Sequence, residues 1–537
     1  MEKSVKREYV LLAVIVLAQL IITAVVFAFV KGGSHSDEVW SYGLANSYYQ
    51  PFVYQRPGVG IDEAAEADGI NLREWISGSV FRDYITVQEG ERFAYGSVWS
   101  NQTYDHHPPL YYLLLHTVCS LFPGSFSFGY GFFLSCIFLT VTQLFLYKSA
   151  RLILGDGRAA LVACALYAGA RAALYTFTFI RQYSLLTMLT VMLIYFTAKL
   201  YRGGSLKTTL PPILLLSLAM FMTHYFGIAV TGLLTGCMCL WMLLTRQTGR
   251  MLIYGFSVSA VLGAYFLIWP AGWRHITSYT PFREQALDLP ASAAGLAGEM
   301  SKAQTGLGGI AAALIALLLT VSFALFLKRL RDTPAKGEVA DFMPLFIFIT
   351  AAGLVLVIAW RTELTDMGEA GLRYAFCLFP GMCIVLVRAV MNTAGVIPKL
   401  KRFPLRTAGA FAAAAVMLSH ITGGDELLFK NAPRDTDAAG LTAGKVCAAV
   451  LPDSEAWTMT SLCDVFISAD RVFVTTPDAL AEDLPAMLAG ERIDFILIPE
   501  SRIENNAELE ALCAGRPRTA VGTLSVMNTR AVLYRLN

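Results

Sequence analysis

The chain has 537 residues, of which 55% are apolar and 15% are charged, whereas soluble globular domains keep about 25% of their residues charged. A bilayer is therefore predicted to be the solvent for most of the chain. The net charge of +2 gives no clustered basic surface of the kind that nucleic-acid binding requires, so that class of function is excluded.

Apolar stretches long enough to span a bilayer, about 20 residues each, recur along the chain. The first follows Lys3, Lys6 and Arg7 and has no small-residue cleavage site, which favours an uncleaved first span over a signal peptide. In chain order the predicted spans, about eleven, are residues 9–30, 127–147, 159–178, 182–199, 209–224, 226–245, 251–269, 308–327, 341–360, 374–392 and 407–422. The shorter run 109–122 is predicted to lie at the membrane interface.

Basic residues cluster in alternate connections between these spans, for example at Lys148 and Arg151 or at Lys399 and Lys401. The positive-inside rule assigns such connections to the cytoplasm. We therefore expect a multi-pass protein of the cell membrane with a cytoplasmic N-terminus and an extracytoplasmic C-terminal domain. The predicted membrane domain is residues 1–422, including an outer loop at 31–107, and the second domain is residues 423–537.

The predicted outer segments contain short structured pieces. The loop has two partly amphipathic pieces, at 39–49 and 72–87, which are expected to lie along the membrane surface. In the tail, apolar runs at 471–475, 495–498, 519–524 and 531–536 predict strands, and runs at 477–488 and 506–513 predict helices. This pattern predicts a small α/β domain. Its cysteines, Cys447, Cys463 and Cys513, allow one disulfide or none.

Two motifs in the outer loop contain groups suited to acid–base chemistry. Asp37 and Glu38 follow the first span in GGSHSDEVW and supply either a general base or a metal ligand, or else an ordinary solvated pair. In DHHPPLYYLLLH, His106 and His107 precede a pair of prolines that fixes the first helical turn. The alternative is a loop-to-helix entry with incidental histidines.

Three more ionisable residues stand at predicted outer ends of spans. His224 in FMTHYFG is either a functional group, as is usual for an ionisable side chain at that depth, or a satisfied packing residue. Arg181 in IRQYSLL and Arg373 in GLRYAF break the positive-inside trend, and guanidinium groups bind phosphate through paired hydrogen bonds. Pairing with an acid such as Glu369, or snorkelling to headgroups, explains them equally well.

Together these residues suit glycosyl transfer from a lipid phosphate. A carboxylate would deprotonate the acceptor hydroxyl, and arginine or a divalent metal would stabilise the leaving phosphate. Imidazoles and carboxylates also suit Zn²⁺ or Mn²⁺. A transporter or flippase of a lipid-linked glycan is the alternative, but transporters keep charges near the midplane, where this chain has little beyond Arg171 and Arg388. An assembly scaffold is a third option.

The order and spacing of four landmarks carry a resemblance to a known superfamily. They are SDE at Asp37, HPPLYYLLLH from His107, RQYSLL from Arg181, and THYFG around His224 followed by RYAFCLFP from Arg373. Over about residues 1–395 the chain resembles the bacterial branch of the GT-C superfamily of membrane glycosyltransferases, which includes protein O-mannosyltransferases and the lipid A aminoarabinose transferase.

The resemblance implies a polyprenyl-phosphate sugar donor, a lipid, glycan or protein acceptor, and an inverting transfer on the outer membrane face. It implies that Asp37 is the catalytic acid, with Glu38 as its companion. It implies a substrate site formed by His106, His107, Arg181, Tyr183, Tyr225, Arg373 and Tyr374. A divalent metal, Zn²⁺, Mn²⁺ or Mg²⁺, would be held by His106 or His107 and by His224, with His107 and His224 as the assigned pair, although the glutamate that holds a metal in the aminoarabinose branch has no counterpart here.

Overall fold

The computed structural model describes residues 2–31, 34–53, 73–278, 309–332, 341–361, 373–394, 438–451, 459–489, 492–500, 507–513, 515–526 and 529–537. They belong to two compact units. The first lies within Met1–Ala28, Ser135–Thr178 and Gln182–Gly424, and the second within Phe29–Leu134, Phe179–Arg181 and Asp425–Asn537. The predicted domain boundary between residues 422 and 423 lies outside the described residues.

Most described residues are helical. In chain order the helices are α1 (Glu2–Val25), α2 (Ser36–Asn46), α3 (Gly78–Ile85), α4 (Tyr95–Tyr104), α5 (Leu110–Cys119), α6 (Phe128–Leu154), α7 (Gly157–Ala168), α8 (Arg171–Thr178), α9 (Tyr183–Tyr201), α10 (Leu206–Phe221), α11 (Phe226–Leu244), α12 (Thr248–Ile268), α13 (Ala271–Ser278), α14 (Gly309–Asp332), α15 (Met343–Arg361), α16 (Phe379–Ala394), α17 (Ala438–Thr442), α18 (Leu480–Leu488) and α19 (Ala507–Cys513).

Several of these helices are long and apolar enough to cross a membrane. Among the described residues, six pass by length and composition: Val5–Val30, Phe128–Leu154, Tyr183–Tyr201, Phe226–Leu244, Thr248–Ile268 and Phe376–Thr393. A seventh results if α7 and α8, bent by 62° at their junction, form one broken span. Each coincides with a predicted span, so the polytopic membrane class is confirmed.

The remaining predicted spans are shorter helices or lie outside the described residues. Apolar helices of 10–17 residues occur at Leu206–Phe221, Ala316–Lys328 and Met343–Ile358. The run that was predicted to be interfacial forms α5, which is also in this short class. The predicted span at 407–422 lies outside the described residues, so the total of eleven stays a prediction.

A six-stranded mixed sheet forms the core of the second unit. Its strands are β1 (Trp75–Ser77), β2 (Val446–Val450), β3 (Arg471–Thr475), β4 (Phe495–Pro499), β5 (Arg518–Val526) and β6 (Thr529–Leu536). They lie in the order β1-β3-β2-β4-β6-β5. Strand β2 is parallel to β3 and β4, and the other pairs are antiparallel. All four predicted tail strands are present, and both predicted tail helices correspond to α18 and α19.

Two strands were not predicted. Strand β2 reads VCAAV, in which alanine has low strand propensity, yet it lies between two parallel neighbours and is buried like a central strand. Strand β1 has three residues and comes from the loop after the first span, not from the tail. No disulfide joins any of the ten cysteines, all of which lie within the described ranges, and those of the tail are buried.

The loop helices pack tightly in the same unit. Asn46 at the end of α2 donates to the carbonyl of Ile85 at 2.9 Å, and the Tyr84 hydroxyl donates to the carbonyl of Pro51 at 2.9 Å. A Cβ on Gly43 would lie 2.1 Å from Tyr84 Cε1, so only glycine lets α2 approach the tyrosine ring. Helix α3 lies within the predicted loop piece 72–87, whereas α2 overlaps the piece 39–49 and begins three residues before it.

Candidate active site

Helix α2 begins with two acids at its N-terminus. His35 is the N-cap residue, and its Nδ1 accepts the backbone N–H of Asp37 at 3.0 Å. The Glu38 carboxylate accepts the backbone N–H of His35 at 2.8 Å, which completes a capping box. Negative charge is favourable in this first turn because the N-terminal N–H groups point toward it. The local sequence HSDE thus fixes where both carboxylates lie.

Glu38 is fully buried and joins separate segments of the second unit. Besides the His35 N–H, its carboxylate accepts the Lys31 ammonium at 2.5 Å and the backbone N–H of Ile180 at 2.8 Å. A buried carboxylate requires such charge-assisted donors to offset its lost hydration. The contacts therefore make Glu38 an anchor for the start of α2.

Asp37 is the more accessible of the two acids. Its side chain is 26% exposed, against 0% for Glu38. Arg181 Nε lies 3.9 Å from its carboxylate, and Arg181 Nη1 donates to the Asp37 carbonyl at 3.3 Å. The same Nη1 donates to Ser41 Oγ and to the Tyr112 hydroxyl, both at 3.2 Å. A buried, well-held cation thus lies beside a carboxylate that solvent can reach.

The buried Asp105 and the partly buried His107 form a pair in the same unit, with 2.8 Å between Asp105 Oδ2 and His107 Nδ1. Burial raises the pKa of Asp105, but the charge and hydrogen bond of His107, together with Arg181 and His106, outweigh burial and lower that pKa to about 2. Burial lowers the pKa of His107 despite the opposing effect of Asp105. At neutral pH Asp105 is therefore ionised, and it accepts a hydrogen bond from Nδ1–H of a neutral His107.

This pair predicts acid sensitivity. Both pKa values are lower in the folded protein than the unfolded values of about 3.9 for aspartate and 6.5 for histidine. Their stabilisation is therefore present at neutral pH and is lost on acidification, for His107 below about pH 6.5 and for Asp105 between about pH 4 and pH 2. Thermal unfolding midpoints measured from pH 3 to 8 should fall in both windows. Asp105→Asn should reduce the decline below about pH 4, and an unchanged decline in that variant would contradict this assignment.

A second cluster lies in the first unit and surrounds Arg373 with aromatic rings. The guanidinium carbon is 5.8 Å from the ring centre of Tyr183 and 5.5 Å from that of Tyr374, within cation–π range. His224 lies beside both tyrosine rings at 5.8 Å and stacks on Phe226 at 5.1 Å. Arg373, Tyr183, His224 and Tyr374, which the sequence placed in three separate motifs, are thus brought together.

Tyr225 has different neighbours. Its hydroxyl is 2.7 Å from His275 Nδ1 and accepts from Trp269 Nε1 at 3.4 Å. The backbone N–H of Phe226 donates to His224 Nδ1 at 3.1 Å, which fixes the histidine ring. Tyr225 therefore supports the turn between α10 and α11, whereas His224 is part of the cluster around Arg373.

An apolar groove lies along α11 and α12 in the same unit. Its cavity of about 440 Å³ is lined by residues from Phe221, Ile228 to Cys239 on α11, and Met251 to Leu262 on α12. Phe221 is three residues before His224, and Ile228 is two residues after Phe226. The lined part of α11 is about 17 Å long at 1.5 Å per residue, more than half of the roughly 30 Å hydrocarbon core.

The sequence missed several residues of the acidic cluster. Lys31, His35 and Tyr112 were not singled out, although each contacts a predicted site residue. Asp105 belonged to the recognised DHHPP motif but was given no role. The spacing His35 to Glu38, an N-cap and its third helical residue, was the signal that would have identified the capping box.

No metal-binding cluster is found among the residues that the structure describes. Within them, no set of three or more His, Cys, Asp or Glu side chains is arranged to hold an ion. His107 Nδ1 bonds to Asp105 and His224 Nδ1 accepts a backbone N–H. We therefore derive no step through a metal, and a metal at His107 and His224 stays a prediction.

The comparisons with known proteins agree with this architecture. Residues 106–273 match a family described as dolichyl-phosphate-mannose-protein mannosyltransferase. This stretch contains His106, His107, Arg181 and His224. None of the curated proteins matches the sequence significantly.

Solved structures give the fold. ArnT from Cupriavidus metallidurans in the apo state has a TM-score of 0.51 at 13% identity, covering 86% of this chain and 93% of that chain. ArnT bound to undecaprenyl phosphate gives 0.49 at 12% identity, covering 95% and 97%. The oligosaccharyltransferase AglB from Archaeoglobus fulgidus, with an inhibitory peptide and a dolichol-phosphate, gives 0.42 at 11% identity, covering 94% and 71%. At such identities the first similarity establishes the fold alone, and the others add no argument.

The family match and the fold together confirm the predicted resemblance. Over residues 106–273 the chain resembles a family of membrane glycosyltransferases, and it shares the fold of ArnT, with a polytopic helical part and a small α/β region.

Proposed function

We propose that the protein transfers a sugar from a polyprenyl-phosphate donor to an acceptor on the outer membrane face, with inversion and with Asp37 as general base. One observation carries this proposal. Asp37 is partly exposed beside the buried Arg181, while the adjacent Glu38 is fully engaged in structure. A base must be reachable by substrate and held in place, and Asp37 combines both properties.

The proposed reaction is a direct displacement at the anomeric carbon of the donor sugar. Asp37 takes the proton of an acceptor hydroxyl as its oxygen bonds to the anomeric carbon of the donor sugar. The bond between that carbon and the phosphate oxygen breaks on the opposite face, so the configuration inverts and polyprenyl phosphate leaves. Arg181 lies 3.9 Å from the Asp37 carboxylate and also bonds to the Asp37 carbonyl and to Ser41 one helical turn later, which restrains the start of α2. Proton removal by a positioned base contributes about 10²–10⁴-fold in rate.

We assign the lipid donor to the first unit. Arg373, held among the rings of Tyr183 and Tyr374, supplies a cation for the phosphate. The groove on α11 and α12 of the same unit supplies an apolar channel for the isoprenoid chain. A phosphate group joined to a long hydrocarbon matches a cation and an apolar groove in one unit, and the matching family is described by a dolichyl-phosphate sugar.

Filling the groove should weaken donor binding. A Cβ on Gly236 meets open space and Gly236 lines the groove, so Gly236→Leu places a larger apolar side chain there. We expect polyprenyl-phosphate affinity to fall by about tenfold because the chain loses apolar contact. Gly263→Leu is the matched control, since Gly263 is also unobstructed and exposed but does not line the groove. Equal affinities of the two variants in a fluorescent-lipid displacement assay would remove the groove from donor binding.

The proposed function is tested by transfer itself. Purified protein in liposomes is given radiolabelled polyprenyl-phosphate sugars and a membrane fraction as acceptor source. Incorporation of label with release of polyprenyl phosphate supports a transferase. Movement of intact donor between leaflets, without cleavage, would support the flippase alternative.

A further inference from the structure

The C-terminal domain and the loop after the first span share one sheet. Strand β1 of the loop pairs antiparallel with β3 of the tail, with Ile76 opposite Val472. The Arg73 guanidinium bonds to Asp483 at 2.6 Å and to Glu482 at 2.6 Å on α18. The tail thus shares backbone pairing and ion pairs with the loop that carries Asp37.

Tail residues 459–470 pack against the loop helix α3. A Cβ on Gly78 would lie 2.0 Å from the carbonyl oxygen of Ala469, so the two backbones are in direct contact. Phe81 lies 6.3 Å from Phe466 between ring centres, and both rings are buried. Because glycine is required for this approach, the position of α3 is set by the tail.

Tyr84 relays this packing to α2. Its hydroxyl shares a side-chain hydrogen bond with Thr460 of the tail, and its ring fits against Gly43 of α2. Tyr84 and Gly43 are buried. The middle of α2 therefore rests on a tyrosine that the tail helps to hold.

A direct contact reaches the beginning of α2. Ser34 Oγ donates to Asp464 Oδ2 at 3.3 Å, with 8% and 7% of the two residues exposed. Ser34 immediately precedes His35, the N-cap residue whose ring accepts the Asp37 N–H. Asp464 thus bonds to the chain three residues before Asp37.

From these contacts we infer that the C-terminal domain positions the proposed base, with Asp464 as a positioning residue acting through Ser34 and the His35 cap. This inference rests on the proposed function only in taking Asp37 as the base. Without the Asp464 contact, the cap moves and Asp37 samples orientations in which it cannot take the acceptor proton. Misplacement by about 1 Å is enough to cost roughly 10²-fold in rate.

The test uses the full-length protein and two readouts. Asp464→Ala and Ser34→Ala remove the same hydrogen bond from either side, whereas Asp464→Asn retains an acceptor. Asp470→Ala is the control, because Asp470 is an acid of the same tail segment whose side chain is 62% exposed. Hydrogen exchange of the amides of residues 37–41 reports the order of α2 independently of activity. Transfer kinetics separate kcat from the donor KM.

We expect Asp464→Ala and Ser34→Ala to raise exchange in α2 by about tenfold and to lower kcat by about tenfold with an unchanged donor KM. The double variant should show no further loss beyond that of Asp464→Ala, since Asp464→Ala already removes the hydrogen bond to Ser34. Asp464→Asn should restore most of both readouts.

Exchange in Asp464→Ala and Ser34→Ala equal to that in Asp470→Ala would overturn the inference. So would an exchange effect without a kcat effect in a protein whose wild type transfers sugar. Increased exchange in a wild-type background that transfers no sugar would overturn the proposed function and leave the positioning of α2 by the tail established. If Asp464→Ala fails to fold, the hydrogen exchange and kcat of Ser34→Ala alone test the inference.

Discussion

Asp37→Asn should abolish sugar transfer in a protein that folds normally. The substitution keeps the side-chain shape but removes the base, so we expect kcat to fall by at least about 10²-fold and up to about 10⁴-fold. Folding should survive because Arg181 Nη1 is held by the Asp37 carbonyl, Ser41 and Tyr112, none of which changes. The measurement is transfer from radiolabelled donor at matched amounts of monodisperse protein.

Asp83→Asn is the matched control for Asp37→Asn. Asp83 is an exposed acid of the same loop, on α3, and its removal should leave transfer unchanged. Full activity of Asp37→Asn would remove Asp37 from the chemistry. Activity lost in a normally folded Glu38→Gln, with Asp37→Asn still active, would instead place the base at Glu38.

The fold was predictable where one physical requirement dominates. Spanning helices must be about 20 apolar residues long, and every long apolar helix among the described residues falls in a predicted span. The strands of the tail, apart from β2, show runs of branched and aromatic residues. Strand β2 was missed because VCAAV has low strand propensity. It forms a strand because it is buried between two neighbouring strands.

The site was predictable in part, through residues that break general rules. Arg181 and Arg373 were recognised because cations at predicted outer ends oppose the positive-inside trend, and each lies in a cluster. The support for Asp37 was not predictable. Ser34 and Asp464 are 430 residues apart in sequence, and no local pattern marks two polar residues that meet only in the folded unit.

That the loop and the tail share one sheet could not be predicted for the same reason. A three-residue strand such as β1 carries too little pattern to be recognised alone, and its pairing with β3 is determined by the tail. The sequence therefore assigned the loop to the membrane domain, whereas the contacts group its described residues with the tail.

Arg373→Gln should weaken binding of the lipid phosphate. A charge-assisted hydrogen bond contributes about 1.5–3 kcal/mol, so its loss should raise the Kd for polyprenyl phosphate by roughly 10- to 150-fold. Arg373→Lys should lie between, because lysine keeps the charge but loses the planar fork that pairs with phosphate oxygens and stacks on Tyr183 and Tyr374. Binding is measured by displacement of a fluorescent polyprenyl phosphate, and transfer by kcat and donor KM.

The control for Arg373→Gln is Arg158→Gln, which removes an exposed cation of the same unit and should leave the Kd unchanged. Because Arg373 also contacts aromatic rings, the kinetic constants must separate phosphate binding from a role in organising those rings. If Arg373 binds phosphate, the loss appears in donor Kd and donor KM while the acceptor KM is unaffected. A lowered kcat with unaltered donor binding would instead mean that Arg373 organises Tyr183, His224 and Tyr374 without meeting the phosphate, and the donor's anionic group would then have to be bound elsewhere.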